Sequence, residues 1–526
     1  MTKPAVVLLP HAYANLLTDF TAMQADAGKE HQLLHAGVGG QDYLEKLEPS
    51  IKEAMVHYMQ HDGATLLAYL ATQARQEGIS LRDKLKQYRP PAYSVDLEQA
   101  YMVAATLYKR PYDDQFLADM AERKLQLSAY PRMHEEAYGI ATAFFRQMGV
   151  KNCQPDQVIF CNTGTNGNWL TILEALFTHG KEAQEIAGPK SILMEKNFYH
   201  YYSAALQHCH GQVAMVEQLT PESLAAALEH RKAYGIHAIY IQGVRNPDGH
   251  IRTEAEVCAL ARTILTYNHQ HPKDPVYVID DEVYYGAGLN GRKVTPISSV
   301  AIDGLGDMYD YSVVMHSPSK TYAAATARVG WMASGVRTDT GPSSQRLQEV
   351  AYHGNGYQTS GPGMRLAVAS IALTPQAALD KRAAYYRAQL AQVKQRIGAI
   401  NRQLGADVMG MSEPDGAWFT MLRFDKQKLP PAIRNSFDLS TYFMRYGGAQ
   451  KDSGLILYPG VLFGYEQKGM DDGKYLYLRF TVSQSPERTM AMLDRIDTAL
   501  QQLKSLSPDA LQSMLGRSKS AVAVIA

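Results

Sequence analysis

The strongest constraint on this chain is an alternation along its middle. From about residue 135, short apolar runs recur, each bounded by polar residues: QVIFCNTG, SILMEK, HAIYIQG, VYVIDDEV and YSVVMHS. Between them lie stretches with helical character, such as ESLAAALEHRKA and EAEVCALARTILTYN. Strands that are apolar throughout must be buried on both faces, and short strands separated by helices supply that cover themselves. The pattern predicts an α/β body with a largely parallel sheet sandwiched between helices.

The flanks read differently. The first 125 or so residues look mostly helical, with LEPSIKEAMVHYMQ and ATLLAYLATQARQEG as segments, the second stopping at Gly78. Tyr88-Arg89-Pro90-Pro91 breaks helices and predicts a loop. Near the other end, Leu390, Val393, Ile397, Ile400 and Leu404 recur at helical spacing, a stripe stopped by Gly405. Strand-like pieces follow (AWFTMLRF, GLILYPG, YLYLRFTVS), then a closing helix, TMAMLDRIDTALQQLKSL. The expected division is a helical extension over 1–125 that contributes to the smaller domain, a large α/β domain over 126–365, and a small α+β domain over 366–526.

Composition narrows the partners. Lys and Arg together number 52, and so do Asp and Glu, which leaves no net field to draw the chain to nucleic acid or anionic lipid. A small-molecule ligand is the expectation. The four cysteines, Cys153, Cys161, Cys209 and Cys258, form no CxxC pair and show no metal-ligand spacing. So few in 526 residues argue against a disulfide framework and for a reducing cytoplasm. The apolar run Ala5 to Pro10 is too short for the core of a secretory signal, and no run approaches the ~18 apolar residues of a membrane span. A soluble, cytoplasmic protein is expected.

In sheets of this kind, ligands sit at the carboxyl ends of the strands. QVIFC runs into Asn162-Thr163-Gly164-Thr165-Asn166-Gly167 and then a helix, a junction whose N–H groups and hydroxyls suit a phosphate. A plain strand-turn-helix junction has the same look. HAIYIQG leads to Asn246-Pro247-Asp248-Gly249, by composition a β-turn. VYVID ends in Asp280-Asp281-Glu282-Val283-Tyr284, where a buried carboxylate needs a partner: a cation, a protonated ring nitrogen or a helix N-terminus. YSVVMHS continues into Pro318-Ser319-Lys320, with Arg328 eight residues on. A lysine in a run of small residues just past an apolar strand can lose its charge by burial and serve as a Schiff-base amine. An arginine can grip a phosphate bidentately. A lysine that merely snorkels is the plainer alternative.

Taken in order, Thr-Gly-Thr, Asn-Pro-x-Gly, Asp-Glu-x-Tyr, Ser-x-Ser-Lys and Arg-x-Gly-Trp resemble the class I/II aminotransferases. These are fold type I enzymes dependent on pyridoxal 5'-phosphate, the resemblance spans roughly residues 125–490, and it implies a mostly parallel sheet of the seven-stranded type in the large domain. It implies that Lys320 carries the cofactor as a Schiff base and shuttles a proton. It implies that Asp281 pairs with the pyridine nitrogen, and that Asn246 and Tyr284 hydrogen-bond the ring hydroxylate. Gly164, Thr165, Ser317 and Arg328 would hold the phosphate. Tyr130 would reach the neighbouring subunit's phosphate, which implies a homodimer. Arg479 would clamp the substrate's α-carboxylate. Amino acids and 2-oxo acids are the implied substrates, with no metal, nucleic acid or membrane.

Two departures stand out. The ring-stacking aromatic falls in Lys196-Asn197-Phe198-Tyr199-His200-Tyr201-Tyr202, where Phe198, Tyr199 or His200 could serve; Tyr199 is taken as the cofactor contact. The family places glycine between Lys and Arg, where this chain has Ala323-Ala324-Ala325, a loop whose backbone is therefore expected to avoid φ > 0. A second likeness is looser. About ninety residues between His35-Ala-Gly37-Val-Gly39-Gly40 and Tyr130, the FLADMAERKLQLSAYPRM stretch and the late YPGVLFG are similar in layout to the aspartate 4-decarboxylases. Amino acid transamination is the expected reaction, with β-decarboxylation of aspartate, or another reaction of the same cofactor in a specialised pathway, as alternatives. A non-catalytic regulator or scaffold of the same fold is the remaining one, and intact Lys320 and Arg328 argue against it.

Overall fold

The computed structural model describes residues 6–9, 12–30, 34–36, 48–61, 65–122, 135–179, 184–185, 187–338, 341–354, 361–446, 454–467 and 473–515. The apolar runs pair into an eight-stranded sheet. Its strands are β1 (Val7–Leu8), β2 (Val158–Asn162), β3 (Ser191–Glu195), β4 (Gln212–Val216), β5 (Ile236–Gln242), β6 (Tyr277–Asp281), β7 (Ser312–His316) and β8 (Val329–Ser334). Their spatial order is β1-β4-β3-β5-β6-β7-β8-β2.

The five strands from β4 to β7 in that order are parallel to one another. Strands β3, β6, β7 and β8 are buried at every position, which is why apolar residues dominate their sequences. Strand β8 pairs antiparallel with both β7 and β2. That reversal matters: Val329, the first residue of β8, lies opposite Asn162, the last of β2. The segment entering β8 therefore reaches the same edge at which the parallel strands end.

Helices α1 (Glu135–Gln147), α2 (Thr165–Phe177), α3 (Tyr201–His208) and α4 (Gly361–Leu373) belong to this body. The buried side chains divide between its two faces. On one, α1, α4 and Trp331 share a core with the helical region from Ile51 to Met120. On the other, Trp169, Tyr202 and Met315 pack with residues Val461 to Phe463. The first 122 residues thus go to several places. Val7–Leu8 extends the large sheet, Leu34–His35 pairs with Leu455–Ile456, and the helices after Pro49 cover the large body.

A second body follows. Helix α5 (Gln376–Leu404) buries the expected stripe, Leu390, Val393, Ile397, Ile400 and Leu404. Gly405 ends it in the left-handed conformation at φ 68, a role glycine fills without steric cost. Strands β9 (Met409–Met411), β10 (Phe419–Asp425), β11 (Tyr458–Pro459) and β12 (Tyr475–Thr481) form an antiparallel sheet in the order β9-β10-β12-β11. Helix α6 (Pro486–Leu503) packs with α5 on this sheet. The strand expected over GLILYPG is split between two sheets. No described helix is long and apolar enough to cross a membrane.

Candidate active site

The ends of β2, β5, β6 and β7 and the start of β8 bring most of the sequence-identified residues to one edge of the large sheet. At β2 the chain turns through Thr163 and Gly164, both at positive φ (67 and 72), before α2 begins at Thr165. A Cβ built on Gly164 would lie 3.4 Å from the hydroxyls of Ser317 and Ser319 and 3.8 Å from Nη2 of Arg328. Three donors from two other segments therefore converge on one glycine. Arg328 is held there by donating to the Thr163 carbonyl at 2.8 Å and the Ala325 carbonyl at 2.9 Å. Ser317 and Ser319 share a hydroxyl–hydroxyl bond of 2.7 Å. Gly330 permits the close approach of the layers, since a Cβ there would meet the Gly164 carbonyl at 2.6 Å. A cationic fork, two hydroxyls and a helix N-terminus make a cup of the right chemistry for a phosphate dianion.

Lys320 is half-buried, four residues beyond the end of β7. Its carbonyl accepts the Ala323 N–H at 3.0 Å, which curls the chain back toward Arg328. Here the structure corrects an expectation. Ala323 has φ 54 and Arg328 φ 50, so the alanine loop does enter the left-handed region. The tight turn demands it, and the surrounding contacts hold a conformation that alanine alone would disfavour.

Asp281 ends β6 with 5 % of its surface exposed. Its Oδ2 accepts the hydroxyls of Tyr240 at 2.8 Å and Tyr202 at 3.3 Å, and Oδ1 accepts the Val283 N–H at 3.2 Å. Burial pushes its carboxyl up to about 6, against the pull of these donors. Asp280 points to the opposite face, accepting from the N–H and hydroxyl of Ser298 at 3.0 and 2.7 Å. The two carboxylates are thus separated by the pleat, and Asp281 is the one on the face of Tyr240.

The turn after β5 carries Asn246. Its N–H donates to Gln242 Oε1 at 3.2 Å, and its Oδ1 accepts from Arg479 Nη1 at 2.9 Å. Arg479 comes from β12 of the second body and is buried, its guanidinium 4.8 Å from the Tyr458 ring centre and 5.1 Å from that of Phe463. Burial lowers its pKa, and the phenols of Tyr458, Tyr284, Tyr199 and Tyr201 act in the opposite sense. Tyr284 is buried against Trp418 and Phe419, both rings 5.5 Å away.

Of the three candidate stacking residues, Phe198 is fully buried against Tyr13 and faces the core. His200 lies among Tyr201, Tyr458 and Phe463, with neither ring nitrogen bonded among the described residues. Tyr199 meets Tyr202 edge-on at 5.0 Å, on the Asp281 side. Tyr130 falls outside the described residues.

Three residues beside the site have no role in the sequence reading. Ser319 stood inside the Ser-x-Ser-Lys pattern. Tyr202 closes the aromatic run Phe198 to Tyr202 without being singled out in it, and Tyr240 is one aromatic in an apolar strand, where nothing local separates it from core residues.

The comparisons agree with this fold. The family model for aminotransferase class I and II matches residues 117–493. Among solved structures, the aspartate aminotransferase of Rhizobium meliloti superposes with a TM-score of 0.58 at 15% identity, covering 92% of this chain and 96% of that one. A double mutant of the Thermus thermophilus aspartate aminotransferase gives 0.55 at 14% identity, with 92% and 96% covered. The aromatic aminotransferase of Pyrococcus horikoshii OT3 gives 0.54 at 16%, with 92% and 100% covered. At such identities these structures speak for the fold alone. No curated protein sequence matches. With a family match over most of its length, the chain belongs to the class I and II aminotransferases, pyridoxal-phosphate enzymes that pass an amino group from an amino acid to a 2-oxo acid.

Proposed function

We propose that transamination takes place at the sheet edge just described, with Lys320 as the residue that carries the cofactor. The observation that supports this most is the donor cup at Gly164, formed by Ser317, Ser319 and Arg328. Asp281 lies on the same strand-end edge, its Oδ2 engaged by two phenols. When bound, pyridoxal phosphate supplies an electron-withdrawing ring that labilises bonds at the substrate's Cα.

The protein's part is binding, orientation and proton movement. Gly164, Thr165, Ser317, Ser319 and Arg328 hold the phosphate. Asp281 Oδ1 would accept a hydrogen bond from the protonated ring nitrogen and so keep that proton on the ring. Asn246 and Tyr284 donate to the ring oxygen, and Tyr199 covers one face. Arg479 grips the α-carboxylate with a guanidinium already oriented by Asn246 and two aromatic rings. Lys320 Nζ would be the base that accepts the proton from the substrate Cα.

On this reading, residues 126–365 are the cofactor-binding domain and 366–526 the smaller domain, and the protein works as a homodimer in the cytoplasm. Tyr130 reaches the partner subunit's site. The reaction is tested by incubating purified protein with a panel of amino donors, with and without 2-oxoglutarate. Glutamate formed only when the acceptor is present supports transamination. Alanine and CO₂ released from L-aspartate without an acceptor would instead mark a β-decarboxylase.

A further inference from the structure

Asp281 is held by two phenols that the sheet itself does not require. Tyr240 and Tyr202 both donate to Oδ2, at 2.8 and 3.3 Å, while the donor to Oδ1 is the Val283 N–H at 3.2 Å. Both tyrosines are almost fully buried. Tyr202 lies flat on Trp169, with ring centres 4.4 Å apart and planes 9° from parallel, and Trp169 Nε1 donates to the Tyr202 carbonyl at 3.2 Å. Tyr240 meets Trp169 and Tyr202 edge-on, at 5.4 and 5.5 Å.

Phenylalanines would build the same aromatic wall. A buried hydroxyl is costly unless it is bonded, so these two hydroxyls are explained by what they bond to. Two O–H donors on one oxygen favour the ionised carboxylate and fill the lone pairs of Oδ2. Oδ1 keeps a lone pair for a further donor.

We propose that Tyr202 and Tyr240 are positioning residues that set the proton affinity of Asp281 and aim its Oδ1 at the cofactor's ring nitrogen. This rests on the reading that Asp281 pairs with that nitrogen. The other ionisable groups acting on or from Asp281 are Asp280, Glu282 and Tyr284. Glu282 is buried on the far face beside Asp280, and burial holds its carboxyl well above the usual range. Burial likewise pushes Tyr284 up, and both groups are common to every variant compared below.

Ionised Asp281 is the form that accepts the ring proton, so cofactor affinity falls as pH drops through its pKa. The test titrates apo-protein with pyridoxal 5'-phosphate across roughly pH 5 to 8 and reads the dissociation constant by fluorescence. The cofactor's own ionisations are common to every variant and cancel in the comparison. Tyr240→Phe is expected to move the midpoint of the loss upward by about one pH unit, and Tyr202→Phe by less, since its bond is longer. Trp169→Phe should lower the melting temperature and leave the midpoint in place. Asp281→Asn should lose tight binding at every pH. Midpoints unmoved in both tyrosine variants, with wild-type circular dichroism, would overturn the clamp and leave the Asp281 pairing standing. So would a Trp169→Phe shift as large as that of Tyr240→Phe, which would make the effect one of packing. An Asp281→Asn variant that binds as tightly as wild type would overturn the pairing itself, and the clamp with it.

Discussion

Arg479 donates through Nη1 to Oδ1 of Asn246 at 2.9 Å, a bond between residues 233 positions apart. It joins the last strand of the small sheet to the turn after β5 of the large one. With Tyr458 and Phe463 against the guanidinium, the fork is pre-oriented before any carboxylate arrives. Replacing it by lysine keeps a charge but loses the planar fork. Arg479→Lys is expected to raise KM for the amino donor by about 10- to 100-fold, the worth of a charged hydrogen bond. The kcat should fall much less. Steady-state kinetics with saturating acceptor separate the two.

Lys320 carries the proton transfer in the proposed reaction. Lys320→Ala should remove the visible absorbance of the purified holoenzyme and lower turnover by at least about 10²- to 10⁴-fold, the usual contribution of a positioned acid–base group. Absorbance spectra and single-turnover assays check both halves. A colourless wild type that cannot be reconstituted with cofactor would count against the assignment of the site.

Gly164 has φ 72 where Ser317, Ser319 and Arg328 converge. At φ 72 and ψ −149 alanine faces a backbone strain of roughly 1–3 kcal/mol, and its methyl enters the cup. Gly164→Ala should therefore weaken cofactor binding by about tenfold or more while lowering stability modestly. Equilibrium titration with cofactor and chemical denaturation of the apo-protein report the two effects separately.

Glu195 at the end of β3 is fully buried, and burial alone would raise its pKa, but Arg252 and then Arg245 outweigh that and hold it below its usual value. A carboxyl depressed in the folded state adds stability that is fully present above its unfolded pKa of about 4.3. That stability is lost as pH falls from there through the folded value. The melting temperature should drop on acidification below about pH 4. Arg252→Met removes one of the two guanidiniums on Glu195 and leaves Arg245 at 3.3 Å, so its cost at neutral pH should stay below the about 3–5 kcal/mol of a fully unpaired buried charge. Denaturant unfolding at several pH values measures both.

Much of the site was legible because strand ends are local features. Thr163 to Thr165, Asn246, Asp281, Ser317 and Lys320 each follow directly on an apolar run, and a parallel sheet places all such ends on one edge. Arg328 was legible by spacing, but its arrival at that edge depends on the reversal of β8, which no local pattern announces. Tyr240 was hidden for the opposite reason. It looks like one more apolar residue of β5, and only the register that sets Gln242 beside Asp281 puts its hydroxyl on the carboxylate's face. The φ 54 at Ala323 also could not be read, because the turn's contacts override the residue's own preference.

By itself, then, the chain's sequence determined the α/β class, the long helix ended at Gly405 and the kinds of group at each strand end. Those follow from hydrophobic periodicity and backbone preference, which act over a few residues. Tertiary structure alone decided the rest. It chose which carboxylate of Asp280-Asp281 faces the phenols, brought Arg479 to Asn246 across two bodies, and sent the N-terminal residues to two sheets and a helical layer. These depend on sheet register and on packing between segments far apart in the chain, where the free energy of burial and hydrogen bonding is shared among partners that no local stretch contains.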